Sequence, residues 1–63
     1  MIEAIWKTGD ETITLTKFGP NDYDVHFHNA DCSVRGTLLE VMQEVNEAFE
    51  IESLTDITQE FFK

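Results

Sequence analysis

The chain has 63 residues, one cysteine and a formal net charge of −9, from 13 acidic residues against four Lys and Arg. A chain of this length forms a single domain, residues 1–63, with a thin core. The charge argues against direct binding to nucleic acids or anionic membranes, which are bound through Lys and Arg, and the lone Cys32 excludes an intramolecular disulfide.

Alternation of apolar and polar residues predicts three strands in the first half of the chain. Residues 2–7, 12–18 and 23–28 repeat with the period of two that is typical of strands with one buried face. The turn signals TGDE at 8–11 and GPND at 19–22 separate them. We therefore predict a three-stranded antiparallel β-meander. Its core face is expected to carry Ile2, Ala4, Trp6, Ile13, Leu15, Tyr23, Val25 and Phe27.

The pattern changes to a helical period after residue 36. Thr37 and Glu40 have the spacing of a capping box, and the helix that follows is predicted over about residues 38–50. Its apolar stripe, which should pack on the core face of the meander and complete an α+β fold, consists of Leu38, Val41, Met42, Val45, Ala48 and Phe49. For residues 54–62 we predict a short second helix, with a fourth strand as the alternative because Ile, Thr and Phe also suit sheets.

The segment DYDVHFHNADC, residues 22–32, contains the highest concentration of side chains that can bind a metal or act in catalysis. Alternation puts Asp24, His26 and His28 on the solvent side of the third strand, where His-x-His can offer two nitrogens to a metal. A zinc site needs three or four ligands, and the nearest further candidates, Asp31 and Cys32, lie beyond a turn. We therefore predict a polar surface row that binds no metal and no cofactor.

No catalytic signature accompanies this segment. Cys32 is a candidate nucleophile beside two histidines, but no oxyanion-hole or substrate-binding glycine pattern supports that role. We predict that the chain is not an enzyme. Arg35 is expected to pair with Asp31 or a Glu, and Gly36 to take a positive φ in the turn before the helix.

The second half of the chain is acidic and has no base between residues 40 and 60. Like charges at helical spacing cost a few tenths of a kcal/mol per pair, which suggests that they have a use. We predict that they bind a basic protein surface, with a nucleic-acid-binding enzyme as one candidate partner. By analogy of size and charge alone, the chain would then be a phage- or mobile-element-type inhibitor that mimics nucleic-acid charge. The predicted binding residues are Glu40, Glu44, Glu47, Glu50, Glu52, Asp56 and Glu60.

The alternative from another class is a homo-oligomeric structural subunit, such as a homodimer. A three-stranded sheet leaves an unpaired edge, and the aromatic residues Phe18, Phe61 and Phe62 have no assured place in the core. No signal peptide or membrane-spanning segment is predicted, because the first residues have no basic start and no long apolar run. We therefore expect a cytoplasmic protein.

Overall fold

The structure, a computed structural model that describes residues 1–61, is an antiparallel sheet with a helix on each face. A 3₁₀ turn, Ile51–Ser53, follows the first helix. The elements in chain order are β1 (Ile2–Thr8), β2 (Glu11–Gly19), β3 (Asp22–Phe27), β4 (Cys32–Gly36), α1 (Leu38–Ala48), β5 (Thr55–Asp56) and α2 (Thr58–Phe61). Within this part of the chain, no helix has the length and apolar character needed to cross a membrane.

The predicted α+β class is confirmed, but the sheet has more strands than the three predicted. Its five strands lie in the order β4-β3-β2-β1-β5, and every neighbouring pair is antiparallel. The meander continues into β4, a strand that the alternation did not predict, and the turn expected at Gly36 is part of this strand. Asp31 makes the return possible with a φ of 54°, in the left-handed region. Gly36 lies in β4 opposite Tyr23, so the positive φ predicted for it is wrong.

The core lies between α1 and one face of the sheet. The side chains of Ile13, Val25, Val41 and Val45 have no exposed surface, and Leu15 and Phe27 complete the buried cluster. Half-buried residues from the predicted faces pack around it: Ala4, Trp6, Tyr23, Met42 and Phe49. The two apolar patterns of period 2.0 and 3.6 therefore meet as predicted, except that Leu38, predicted as part of the helical stripe, is 43% exposed.

The prediction for Ile2 is wrong because β1 contains a bulge. Ile2 lies opposite Thr16 while Ala4 lies opposite Leu15, so Glu3 is an extra residue that moves Ile2 to the other face. Ile2 is 42% exposed there. Ile5 shares this face but is buried, because α2 covers it.

The predicted capping box at the start of α1 is confirmed. The Thr37 hydroxyl accepts a hydrogen bond from the Glu40 backbone N–H at 3.2 Å, and the Glu40 carboxylate accepts one from the Thr37 N–H at 3.0 Å. The helix ends at Ala48, two residues earlier than predicted, and Phe49 is already extended.

The C-terminal segment contains parts of both predicted alternatives. Thr55–Asp56 adds a short strand beside β1, and Thr58–Phe61 forms one helical turn. The Ile57 N–H donates to the Ile5 carbonyl at 2.9 Å, which ties the segment to the sheet. Phe62, part of the predicted helix, lies outside the described residues.

Candidate functional site

The seven predicted acidic residues do not form one surface. Glu40, Glu44 and Glu47 lie on α1, which contacts β3 and β4 on the core face. Glu50 lies directly before the 3₁₀ turn, and Glu52 lies within it. Asp56 and Glu60 lie in β5 and α2, at the opposite edge of the sheet. Four strand spacings, roughly 19 Å, separate the β4 edge from the β5 edge.

Glu40, Glu44 and Glu47 share one side of α1, here called the acidic side, because residues three and four apart align on a helix. This side faces β4. The Glu40 carboxylate lies so close to Gly36 that a Cβ added to that glycine would be 3.1 Å from Oε1. Glu44 borders a groove between α1 and β4 together with Cys32 and Val34. The acidic side therefore lies beside an edge of the sheet.

Two of the seven carboxylates have a structural role. Hydrogen bonding of the Glu40 carboxylate to the Thr37 backbone N–H, and to a smaller extent to the Thr37 side chain, lowers the pKa of Glu40. Asp56 accepts from the Thr58 hydroxyl at 2.5 Å and from the Thr58 N–H at 2.9 Å, and these bonds lower its pKa. Asp56 thus fixes the start of α2, while Glu44, Glu47, Glu50, Glu52 and Glu60 make no such bonds within residues 1–61.

The acidic side of α1 has no counter-charge of its own. The single ion pair among the described residues joins Arg35 to Asp22, and the last turn of α1 has no basic residue. The negative charges of the exposed Glu44 and Glu47 on α1 are therefore not compensated by a neighbouring base within residues 1–61. This arrangement favours attraction of a cationic surface.

Arg35 pairs with Asp22, so the predicted pairing with Asp31 or a Glu is wrong. The guanidinium donates from Nε to Oδ1 at 2.8 Å and from a terminal nitrogen to Oδ2 at 2.7 Å. This pairing holds the pKa of Asp22 below its ordinary value. The guanidinium also lies 4.4 Å from the centroid of the Phe18 ring. The unpredicted β4 brings Arg35 to this position, where it covers an exposed aromatic residue.

The histidine row lies on the face of the sheet away from α1, as predicted. His26 Nδ1 is 2.7 Å from the Ser33 hydroxyl, His28 Nε2 is 2.6 Å from the Thr14 hydroxyl, and the two rings meet edge to face at 4.7 Å. Cys32 lies opposite Phe27 and so belongs to the other face. Across residues 1–61, no three His, Cys, Asp or Glu side chains are grouped to hold a metal. The prediction that the row binds no metal stays open to experiment.

Glu11 is a buried carboxylate with a structural role that was not predicted from the sequence. It is 6% exposed and accepts hydrogen bonds from the backbone N–H groups of Thr12, Asn29 and Ala30, at 2.9, 2.6 and 3.0 Å. Burial raises the pKa of Glu11, but the three amide donors outweigh it, and the net pKa lies below its ordinary value. The sequence did contain an indication of this role. Glu11, Ile13 and Leu15 are two residues apart, so all three lie on the core face of β2. Its carboxylate secures the turn between β3 and β4.

Comparisons with protein-family models, with curated proteins and with solved structures each return no match to this chain.

Proposed function

We propose that the chain is a non-catalytic interaction protein that binds a basic surface of another protein through the acidic side of α1. Glu50 directly follows the helix and stays a predicted contact, whereas Glu52 lies with Leu39 and Ile51 on the side of α1 away from β4 and is not part of this surface. One observation carries the proposal: Glu44 and Glu47 are exposed on a helix that contains no basic residue, and neither makes an ion pair within residues 1–61. Asp56 and Glu60, at the opposite edge of the sheet, are not part of this surface.

Physical chemistry supports a binding role for such a helix. Repulsion between glutamates three and four residues apart destabilises α1 by a few tenths of a kcal/mol per pair. A basic partner removes that repulsion on binding. The field of a chain with a net charge of −9 also speeds its encounter with a basic protein, by roughly 10- to 1,000-fold at low salt.

A nucleic-acid-binding enzyme is the partner class that we favour. The rise along α1 is about 6 Å from Glu40 to Glu44 and about 4.5 Å from Glu44 to Glu47, which is comparable to the spacing of phosphates along a nucleic-acid strand. A groove that binds phosphates can accept such a row of carboxylates. The chain would then act as an inhibitor that competes with nucleic acid.

Affinity capture from a lysate of the source organism tests the proposal. The wild-type chain is compared with Glu44→Lys/Glu47→Lys and with Glu3→Lys/Glu60→Lys, which changes the net charge equally but at the opposite edge of the sheet. We expect the first variant to lose a partner that the wild type and the second variant retain at low salt and release at high salt. If both variants lose the partner to the same extent, total charge, and not the acidic side of α1, governs binding.

A competition experiment tests the favoured partner class. The captured protein is incubated with labelled duplex DNA or RNA, and increasing amounts of the chain are added. An inhibitor of the proposed kind displaces the nucleic acid in proportion to its own binding. A captured partner that does not bind nucleic acid would contradict the proposal that the chain mimics nucleic acid, but it would not contradict the proposal that the chain binds a basic surface.

A homo-oligomeric subunit is the second candidate, favoured by exposed apolar residues on the side of α1 away from β4. Leu39 is 70% exposed and Ile51 46% exposed, and both line a shallow depression with Met42. Phe61 is 61% exposed on the other face of the sheet. Sedimentation at several concentrations distinguishes the candidates, because a strict monomer excludes the subunit. A dimer that persists in Phe61→Ser but not in Leu39→Ser would place the contact on α1.

A further inference from the structure

β4 is an edge strand whose outer side is unpaired within the described residues. The His28 N–H donates to the Thr12 carbonyl at 3.0 Å, so every second residue of β3 bonds to β2 and those between bond to β4. Val25 therefore bonds to Val34, which lies opposite it. By the same alternation, Ser33 and Arg35 turn their backbone N–H and C=O groups outward. These groups are free to pair with another strand.

This edge lacks the features that usually protect an edge strand. Proteins block open edges with proline, bulges, lysine or very short strands. β4 has no proline or lysine, and its pairing with β3 runs without a register shift. Its one charged side chain, Arg35, is held over the sheet by Asp22. The other edge strand, β5, has two residues and offers far less backbone.

An apolar groove runs beside the open edge. It lies between β4 and α1, has a volume of about 270 Å³, and is bordered by the acidic side of α1 through Glu44. Its apolar lining comes from Phe27, Ala30, Cys32, Val34, Ala48 and Phe49. Side chains of an added strand would alternate between this groove and the face that carries Ser33 and Arg35.

We propose that an extended, basic segment of the partner protein adds to the sheet along β4 as a sixth strand. Its apolar side chains enter the groove, and flanking Lys or Arg side chains on the same face reach Glu44 and Glu47. This inference rests on the proposed function and gives the form of the segment that is bound. Strand addition of this kind takes its affinity from main-chain hydrogen bonds and its specificity from the pockets for alternate side chains.

Charge decides between a basic segment and a second copy of this chain. Two copies paired antiparallel through β4, about a two-fold axis normal to the sheet, would place both α1 helices on the same face of a continuous sheet. The acidic side of α1 faces the β4 edge, so Glu40 and Glu44 of each copy would confront those of the other. Such like-charge contacts oppose pairing, whereas a cationic segment is attracted to the same place.

The probe is a terminally blocked peptide, Lys-Thr-Val-Thr-Val-Thr-Lys. As a strand it presents two Val between two Lys on one face and Thr on the other. Amide hydrogen exchange of the full chain is followed by NMR at low salt, with and without the peptide. We expect new protection at the Ser33 and Arg35 amides, little change at the already bonded Val34 amide, and loss of the effect when Glu replaces Lys in the peptide.

Ser33→Pro and Ser33→Ala form a matched pair of variants. Proline removes the outward N–H without removing a bond to β3, which is where edge strands accept proline. Alanine keeps that N–H and removes only the hydroxyl that contacts His26. We expect proline to weaken binding of the peptide by about tenfold, the effect of losing a main-chain hydrogen bond, and alanine to leave it unchanged.

The inference is wrong if the peptide protects neither outward amide, or if the proline and alanine variants bind it equally. If Ser33→Pro does not fold, the exchange measurement on the wild-type chain decides alone. The partner captured from lysate separates the two proposals. A partner lost with Glu44→Lys/Glu47→Lys but retained by folded Ser33→Pro would refute strand addition and leave the basic-surface function standing.

Discussion

Replacing Glu11 with Gln should destabilise the fold more than any other single neutralisation of a carboxylate. One oxygen of Glu11 accepts from Thr12 and Asn29, and the other from Ala30. Gln can keep the first oxygen in place, but its NH₂ group then faces the Ala30 N–H, and two donors oppose each other in a buried site. Losing one charge-assisted bond and leaving one amide unpaired costs about 2 kcal/mol. That is a large part of the roughly 3–9 kcal/mol expected for a chain of this size.

Thermal unfolding followed by circular dichroism at pH 7 measures this effect. The melting temperature of Glu11→Gln should fall by about 10 °C, while Glu3→Gln, at an exposed position, should melt with the wild type. The pKa of Glu11 is lowered by folding from its ordinary value of 4.5, so its contribution is present above that value and lost as pH falls through the folded-state pKa. The difference between wild type and variant should therefore shrink below about pH 4.5. Equal melting at pH 7, or a difference that grows in acid, would refute this account of the turn.

Three further substitutions test the core, the helix start and the histidine row, all by urea unfolding. Ile13→Ala should lower the free energy of unfolding by about 3 kcal/mol, because Ile13 is fully buried; a loss below 1 kcal/mol would contradict the packing described. Thr37→Ala should cost about 1 kcal/mol, the usual value of an N-cap, and an unchanged stability would disprove the capping box. His26→Ala and His28→Ala should each change stability by less than about 0.5 kcal/mol, and EDTA should not alter the melting temperature. Stoichiometric zinc in untagged protein, with earlier melting in EDTA, would show that the row binds metal.

Local patterns predicted the parts of this fold that depend on local physics. The alternation in β2 and β3 requires only one buried and one exposed face, and the Thr37–Glu40 pair requires only neighbours on the chain. β4 was not predicted because its apolar residues are only Cys32 and Val34, too few for the alternation to indicate a strand. Ile2 was assigned to the wrong face because a bulge reverses every side chain beyond it, and nothing in the alternation marks one extra residue.

The candidate site was also predicted only where its geometry depends on residues close together in the chain. The 3.6-residue period placed Glu40, Glu44 and Glu47 on one side of a helix correctly, since that follows from helix geometry. The sequence could not show that Asp56 lies at the opposite edge of the sheet, because its position depends on pairing with Trp6, 50 residues earlier in the chain. Nor could it show that the acidic side of α1 faces the open edge of β4, which depends on how the helix packs.

The most direct test of the central claim is the salt dependence of the dissociation constant for the captured partner. The wild-type chain, Glu44→Lys/Glu47→Lys and Glu3→Lys/Glu60→Lys are titrated against that partner by calorimetry over a series of salt concentrations. If the acidic side of α1 binds a basic surface, the wild type and the second variant weaken together as salt rises, because screening acts on the charges at the contact. The first variant should bind far more weakly at low salt and respond little to added salt. If all three proteins have equal dissociation constants that change equally with salt concentration, α1 does not carry the binding.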